Sequence, residues 1–126
     1  MAIDYRIDST RGIIFTTATG TLTNQELLAH KQRLQRDPLF HAGMPQLSDV
    51  RGVERLDVTP DGIGQFVQHD ATNAGALEPS RLAIVAKEDV VFGMARMYQA
   101  RTSRYRPNVG VFRTIEEATN WLGRES

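Results

Sequence analysis

Three aspartates, Asp49, Asp57 and Asp61, fall close together in the stretch Asp49-Val-Arg-Gly-Val-Glu-Arg-Leu-Asp57-Val-Thr59-Pro60-Asp61-Gly62. Carboxylates gathered at one sheet edge could exchange protons or hold Mg²⁺. Loop aspartates more often cap helices and turns. Thr59 is the only hydroxyl near Asp61, and its place before Pro60 fits a helix N-cap followed by proline at the first helical position. The exposed N–H groups and positive dipole end of such a helix favour the negative charge that Asp61 supplies.

Other chemistries lack their residues. There is no cysteine, no Gly-x-Ser-x-Gly elbow and no P-loop, and Gly62-x-Gly64 lacks the third glycine of a dinucleotide turn. His30 falls in an apolar helical stripe, His41 in a loop, and His69 beside Asp70 on a helix where neighbours point apart, so the histidines form no metal set. No cofactor is expected.

These residues need elements to hold them. Ile3, Tyr5 and Ile7 alternate as a half-buried strand, and the turn Ser9–Gly12 returns the chain as Ile13–Gly20. Thr23-Asn-Gln-Glu26 is a capping box, and its helix carries Leu27, Leu28 and Leu34 until Asp37-Pro38. A short strand around Leu47–Val50 contains Ser48. A second helix follows Thr59, with Ile63, Phe66, Val67 and Ala74 on one face. Leu82–Ala86 is apolar throughout and reads as a central strand.

A third helix is predicted over Val90–Tyr105. Its Val91, Met94, Ala95 and Tyr98 share one arc, and Phe92 falls opposite them with Arg96, Gln99 and Ser103. Val109–Phe112 is the last strand. Thr114 caps a final helix that turns Ile115, Ala118 and Leu122 inward, with Trp121 beside them. The order β-β-α-β-α-β-α-β-α predicts an α/β fold, a five-stranded mixed sheet with four helices, as a single domain over residues 1–126.

The 126 residues have zero net charge and no apolar run long enough to span a membrane. The alternating start is not expected to be a signal peptide, and the lack of cysteine favours a cytoplasmic location. Residues 1–80 carry seven Lys/Arg against ten Asp/Glu, whereas residues 81–113 carry seven against Glu88 and Asp89 alone. That asymmetry suits an anion or an acidic partner, but the overall balance lacks the basic excess of a nucleic-acid binder.

The segment Leu47-Ser-Asp-Val50, Gly52-Val53, Asp57 and Asp61-Gly-Ile-Gly-Gln-Phe66 resembles the signature of STAS domains, named for sulfate transporters and anti-sigma-factor antagonists. Gly20–Glu26, Arg81–Ala86, Phe112, Glu117-Ala118 and Trp121-Leu122 resemble its STAS/SEC14-like branch, anti-anti-sigma-like proteins of unassigned role. In the family a serine before the helix glycine accepts a phosphate. Here that position holds Asp61 in a somewhat longer loop, so the resemblance implies the architecture without the switch.

Two functions follow as expectations. The first is a non-enzymatic regulatory or protein-interaction module, whose partner surface takes in Asp57, Thr59, Asp61, Gly62, the second helix, Phe92 and Arg96. The alternative is a carrier of a small apolar or acidic ligand or a lipid. Its pocket would lie beneath the third helix, lined by Phe92, Met94, Met97 and Tyr98, with Arg96 or Arg101 on an acidic head group. Pairing with a second copy of the chain is left open.

Overall fold

The structure, a computed structural model, describes residues 2–73 and 80–123. Strand β1 (Ile3–Asp8) pairs antiparallel with β2 (Ile13–Thr23), and β3 (Gln46–Asp57), β4 (Leu82–Val85) and β5 (Val109–Phe112) follow in parallel. The sheet order is β1-β2-β3-β4-β5. Between the strands run α1 (Asn24–Arg36), α2 (Pro60–Thr72) and α3 (Asp89–Thr102), and α4 (Ile115–Leu122) follows β5. Among the described residues this is the α/β architecture expected, a five-stranded mixed sheet with four helices.

The β1–β2 turn closes where Gly12 takes φ 68°, and the Arg11 N–H donates to the Asp8 carboxylate at 3.0 Å. Each α/β crossover in a sheet of sequential order steps the same way, so α1, α2 and α3 share one face. There Leu82, Ile84 and Val53 meet Ile63, Val91 and Tyr98 in the principal core. The alternate residues Leu47, Ala83 and Val85 face the other way and meet Ala118, Ile115, Trp121 and Leu122 of α4. Leu82 to Ala86 are all buried, as a central strand covered on both faces requires.

Two elements depart from expectation. β3 runs on to Asp57 instead of stopping near Val50, pairing with β2 through register shifts at Thr17/Thr19 and Gly20/Thr21. Bulges break the two-residue period, so Arg51-Gly52 and Glu54-Arg55 look like loop although they lie in a strand. Asp57 therefore ends a strand, and only Val58 and Thr59 connect it to α2. The third helix stops at Thr102, not Tyr105. Tyr105 and Arg106 both donate their N–H to the Thr102 carbonyl at 2.8 Å, in a turn that Pro107 favours by restricting its neighbour. Ala74, expected on the second helix, lies outside the described residues.

Candidate functional site

Lys31 is the fourth residue after Leu27 and the third before Leu34, so it sits on the buried stripe of α1 beside His30. Asp70 occupies the same place on α2, after Ile63 and Phe66, and is fully buried. On α3, Tyr98 follows Met94 and Thr102 follows Tyr98, each by one turn. The three helices run antiparallel to the parallel strands, so their C-terminal halves converge at the strand-start end of the sheet. There they bring these polar groups into contact.

The Lys31 ammonium pairs with Asp70 Oδ1. The Tyr98 hydroxyl donates to Asp70 Oδ2 at 2.5 Å and the Thr102 hydroxyl to the same atom at 2.6 Å. Lys31 Nζ also stands 4.2 Å from the centroid of the Phe66 ring, whose edge packs on Tyr98 with centroids 5.2 Å apart. A cation over an aromatic face adds to the pairing where water is excluded.

Burial acts on each ionisation. It lowers the Lys31 ammonium to about 7, with the Arg106 charge acting in the same direction and Asp70 opposing both. Burial alone would raise the Asp70 carboxyl, but Lys31 and the Thr102 and Tyr98 hydroxyls hold it below the usual carboxylate range. The Tyr98 phenol is pushed up, first by burial. His30 falls to about 4, through burial and then the charges of Arg33 and Lys31, so its ring is neutral near pH 7.

Beside this cluster lies a cavity of about 120 Å³ between the sheet and α1–α3. Its walls are mainly apolar, from Val58 and Ile63 through Phe66, Ile84, Met94 and Ala95. Its polar groups are Thr16, His30, Lys31, Gln46, Ser48, Tyr98 and Arg106. Gln46 is held by donating to the Thr16 hydroxyl at 2.8 Å. A second cavity of about 20 Å³ shares Lys31, Gln46 and Arg106 with the first, so these three residues form the wall between them.

The residues anticipated from sequence lie elsewhere. Thr59 caps α2: its hydroxyl oxygen accepts from the Gly62 N–H at 3.1 Å and from Asn24 Nδ2 at 3.0 Å. Asn24 Oδ1 in turn accepts from the Thr59 N–H at 3.1 Å. Asp49 pairs with Arg51 at 2.9 Å and Asp57 with Arg55 at 3.1 Å. Eight residues along β3 separate these two carboxylates by roughly 20–25 Å, so they do not form a cluster with Asp61. Among the described residues no group of three His, Cys, Asp or Glu could hold a metal ion.

Phe92 is not the exposed neighbour of Arg96. It is half-buried against the principal core, and the Arg113 guanidinium covers its ring at 4.0 Å. Arg101 runs back along α2, donating to the Pro60 carbonyl at 2.8 Å, and a Cβ on Gly64 would stand 2.9 Å from its Nη2. Met94 and Tyr98 line the cavity as anticipated. Phe92 and Met97 do not, and the cations at the cavity are Lys31 and Arg106, not Arg96 or Arg101. Sequence reasoning missed Lys31, Asp70, Thr102 and Arg106. The usable signal was a lysine and an aspartate on the apolar stripes of adjacent helices, since charges there require partners.

No family model matches the chain, and no curated protein does. A solved structure is similar over almost the whole length: an uncharacterised protein of the DUF3478 family, with a SpoIIAA-like fold, from Shewanella loihica PV-4. It superposes with a TM-score of 0.62 at 15% identity, over 96% of this chain and 94% of the other. With its strand order and three helices on one face, this chain has the SpoIIAA-like, STAS-type fold.

Proposed function

We propose that this chain is a non-enzymatic regulatory module that binds a small, largely apolar molecule in the cavity beneath α3 and signals its occupancy to a protein partner. The observation that carries the reading is the cavity itself. Its about 120 Å³ compares with the roughly 150 Å³ of an engineered apolar cavity that binds benzene. Its apolar walls favour a hydrocarbon body, and its few polar groups gather at one end, the usual build of a small-molecule site.

The outer side of α3 is the surface that would feel the ligand. Val90 is 67% exposed and Met97 36%, and seven residues on a helix put them on one face, near the exposed Arg96. No phosphate switch is assigned to Thr59, whose oxygen accepts two hydrogen bonds in the α2 cap.

The methionine methyls provide the test, because Met94 lines the cavity and Met97 lies outside it. With methyl-¹³C methionine, saturation with benzene or hexanol is expected to shift the Met94 methyl resonance and leave Met97 nearly unmoved. A Met94 signal that stays in place at saturating probe rejects the ligand site. A partner reading α3 is expected to be lost on Met97→Glu, and unchanged capture by that variant rejects the surface.

A further inference from the structure

We infer that the polar end of the cavity is a seat for a single carboxylate, formed by Arg106 and Lys31, so that the ligand is a small monocarboxylic acid with an apolar body. This rests on the ligand-binding reading above and adds the chemical class of the ligand.

Arg106 is only 4% exposed, and its Nε has no hydrogen-bond partner among the described residues. Its Nη2 stands 3.4 Å from Ser80 Oγ, at the long limit of a hydrogen bond. The carboxylate of the cluster is already committed. Asp70 Oδ1 takes Lys31, and Oδ2 takes Tyr98 and Thr102. With the His30 ring neutral and Lys31 paired with Asp70, Arg106 is left as the described charge at this end without a carboxylate partner. His30 Nδ1, on the same cavity, also has no hydrogen-bond partner among the described residues.

A buried cation without a counter-charge is an arrangement folded proteins avoid unless something supplies the charge. A carboxylate supplies it, and its two oxygens match the parallel N–H bonds of a guanidinium fork. A phosphate dianion would overshoot the imbalance, whereas a neutral ligand would leave it in place. The remaining walls, Ile63, Phe66, Ile84, Val91 and Met94, are apolar. At about four-fifths of the volume that takes benzene, the cavity admits an apolar body of about five carbons, with the carboxylate at its polar end.

The test is calorimetric titration of the whole chain with hexanoate and benzoate, each against its neutral amide, and with inorganic phosphate. The acids are expected to bind at least about tenfold tighter than hexanamide and benzamide, a difference in free energy of about 1.4 kcal/mol. Arg106→Gln is expected to abolish that preference while amide binding persists. Equal affinity of acid and amide overturns the carboxylate seat and leaves the apolar site standing. Failure of all four organic probes overturns both. Phosphate binding tighter than hexanoate overturns the choice of a carboxylate. The acid-against-amide comparison is made on the unaltered chain, so it decides the matter even where Arg106→Gln does not fold.

Discussion

His30 shows how burial converts into a dependence on pH. Its ring is 6% exposed, packs edge-on against Tyr5 with centroids 5.7 Å apart, and is lowered from 6.5 to about 4. The unfolded chain therefore binds a proton that the folded chain refuses between those values. The stabilisation is complete above pH 6.5 and is lost as pH falls toward 4, amounting to about 3 kcal/mol from the size of the shift. His69 is lowered too, so a variant must isolate the His30 share. Phenylalanine keeps the aromatic edge and removes the titration. Urea unfolding of His30→Phe is expected to lose much less stability between pH 7 and pH 4.5 than the unaltered chain. Equal losses in the two proteins would show that the acid sensitivity arises elsewhere. Asp70 belongs to a different regime: its low carboxyl pKa matters only below pH 4, outside this window.

At the scale of elements, the stretch that carries the family resemblance is explained by how two helices start together. Asn24, the first residue of α1, clasps Thr59, the cap of α2, through two hydrogen bonds. The clasp needs the absence of a side chain at Gly62, where a Cβ would come within 1.9 Å of Asn24 Oδ1. Alanine inside a helix is ordinarily better than glycine by roughly 1 kcal/mol. Displacing the carboxamide forfeits two hydrogen bonds worth about 1 kcal/mol each. Gly62→Ala is thus expected to destabilise the chain by about 1 kcal/mol, yet to stabilise it in an Asn24→Ala background. A double-mutant cycle from denaturant midpoints measures the inversion, and additive effects would rule out the clasp. The helix starts were legible because capping is local: Thr23, Thr59 and Thr114 each accept from an N–H three residues on. The length of β3 was not legible, because its bulges are fixed by pairing with β2 and leave no period in β3 itself.

At the scale of the whole molecule, the order of elements could be read because each α/β crossover obeys a handedness that sequence order conveys. The site could not. Its charged groups come from α1, α2 and the turn before β5, and only the docking of three helices decides that Lys31 meets Asp70. Arg106 enters the site because α3 ends at Thr102. A helix running to Tyr105, as its composition suggests, gives no reason to place Arg106 inside. The cavity is a property of the same docking, and filling it separates a binding site from a packing defect. Ala95 lines it from α3. At roughly 24 cal/mol per Å³, the whole cavity corresponds to about 3 kcal/mol of unrealised packing. Leucine at this position occupies part of that space and loses some rotamer freedom, so Ala95→Leu is expected to gain about 1 kcal/mol, seen as a Tm higher by several degrees. The same variant is expected to lose hexanoate binding, since stability and ligand compete for one volume. A large fall in Tm would mean that the space is already filled, and undiminished binding would place the ligand elsewhere. A gain in stability together with a loss of binding is the combination that a site kept open for a ligand requires.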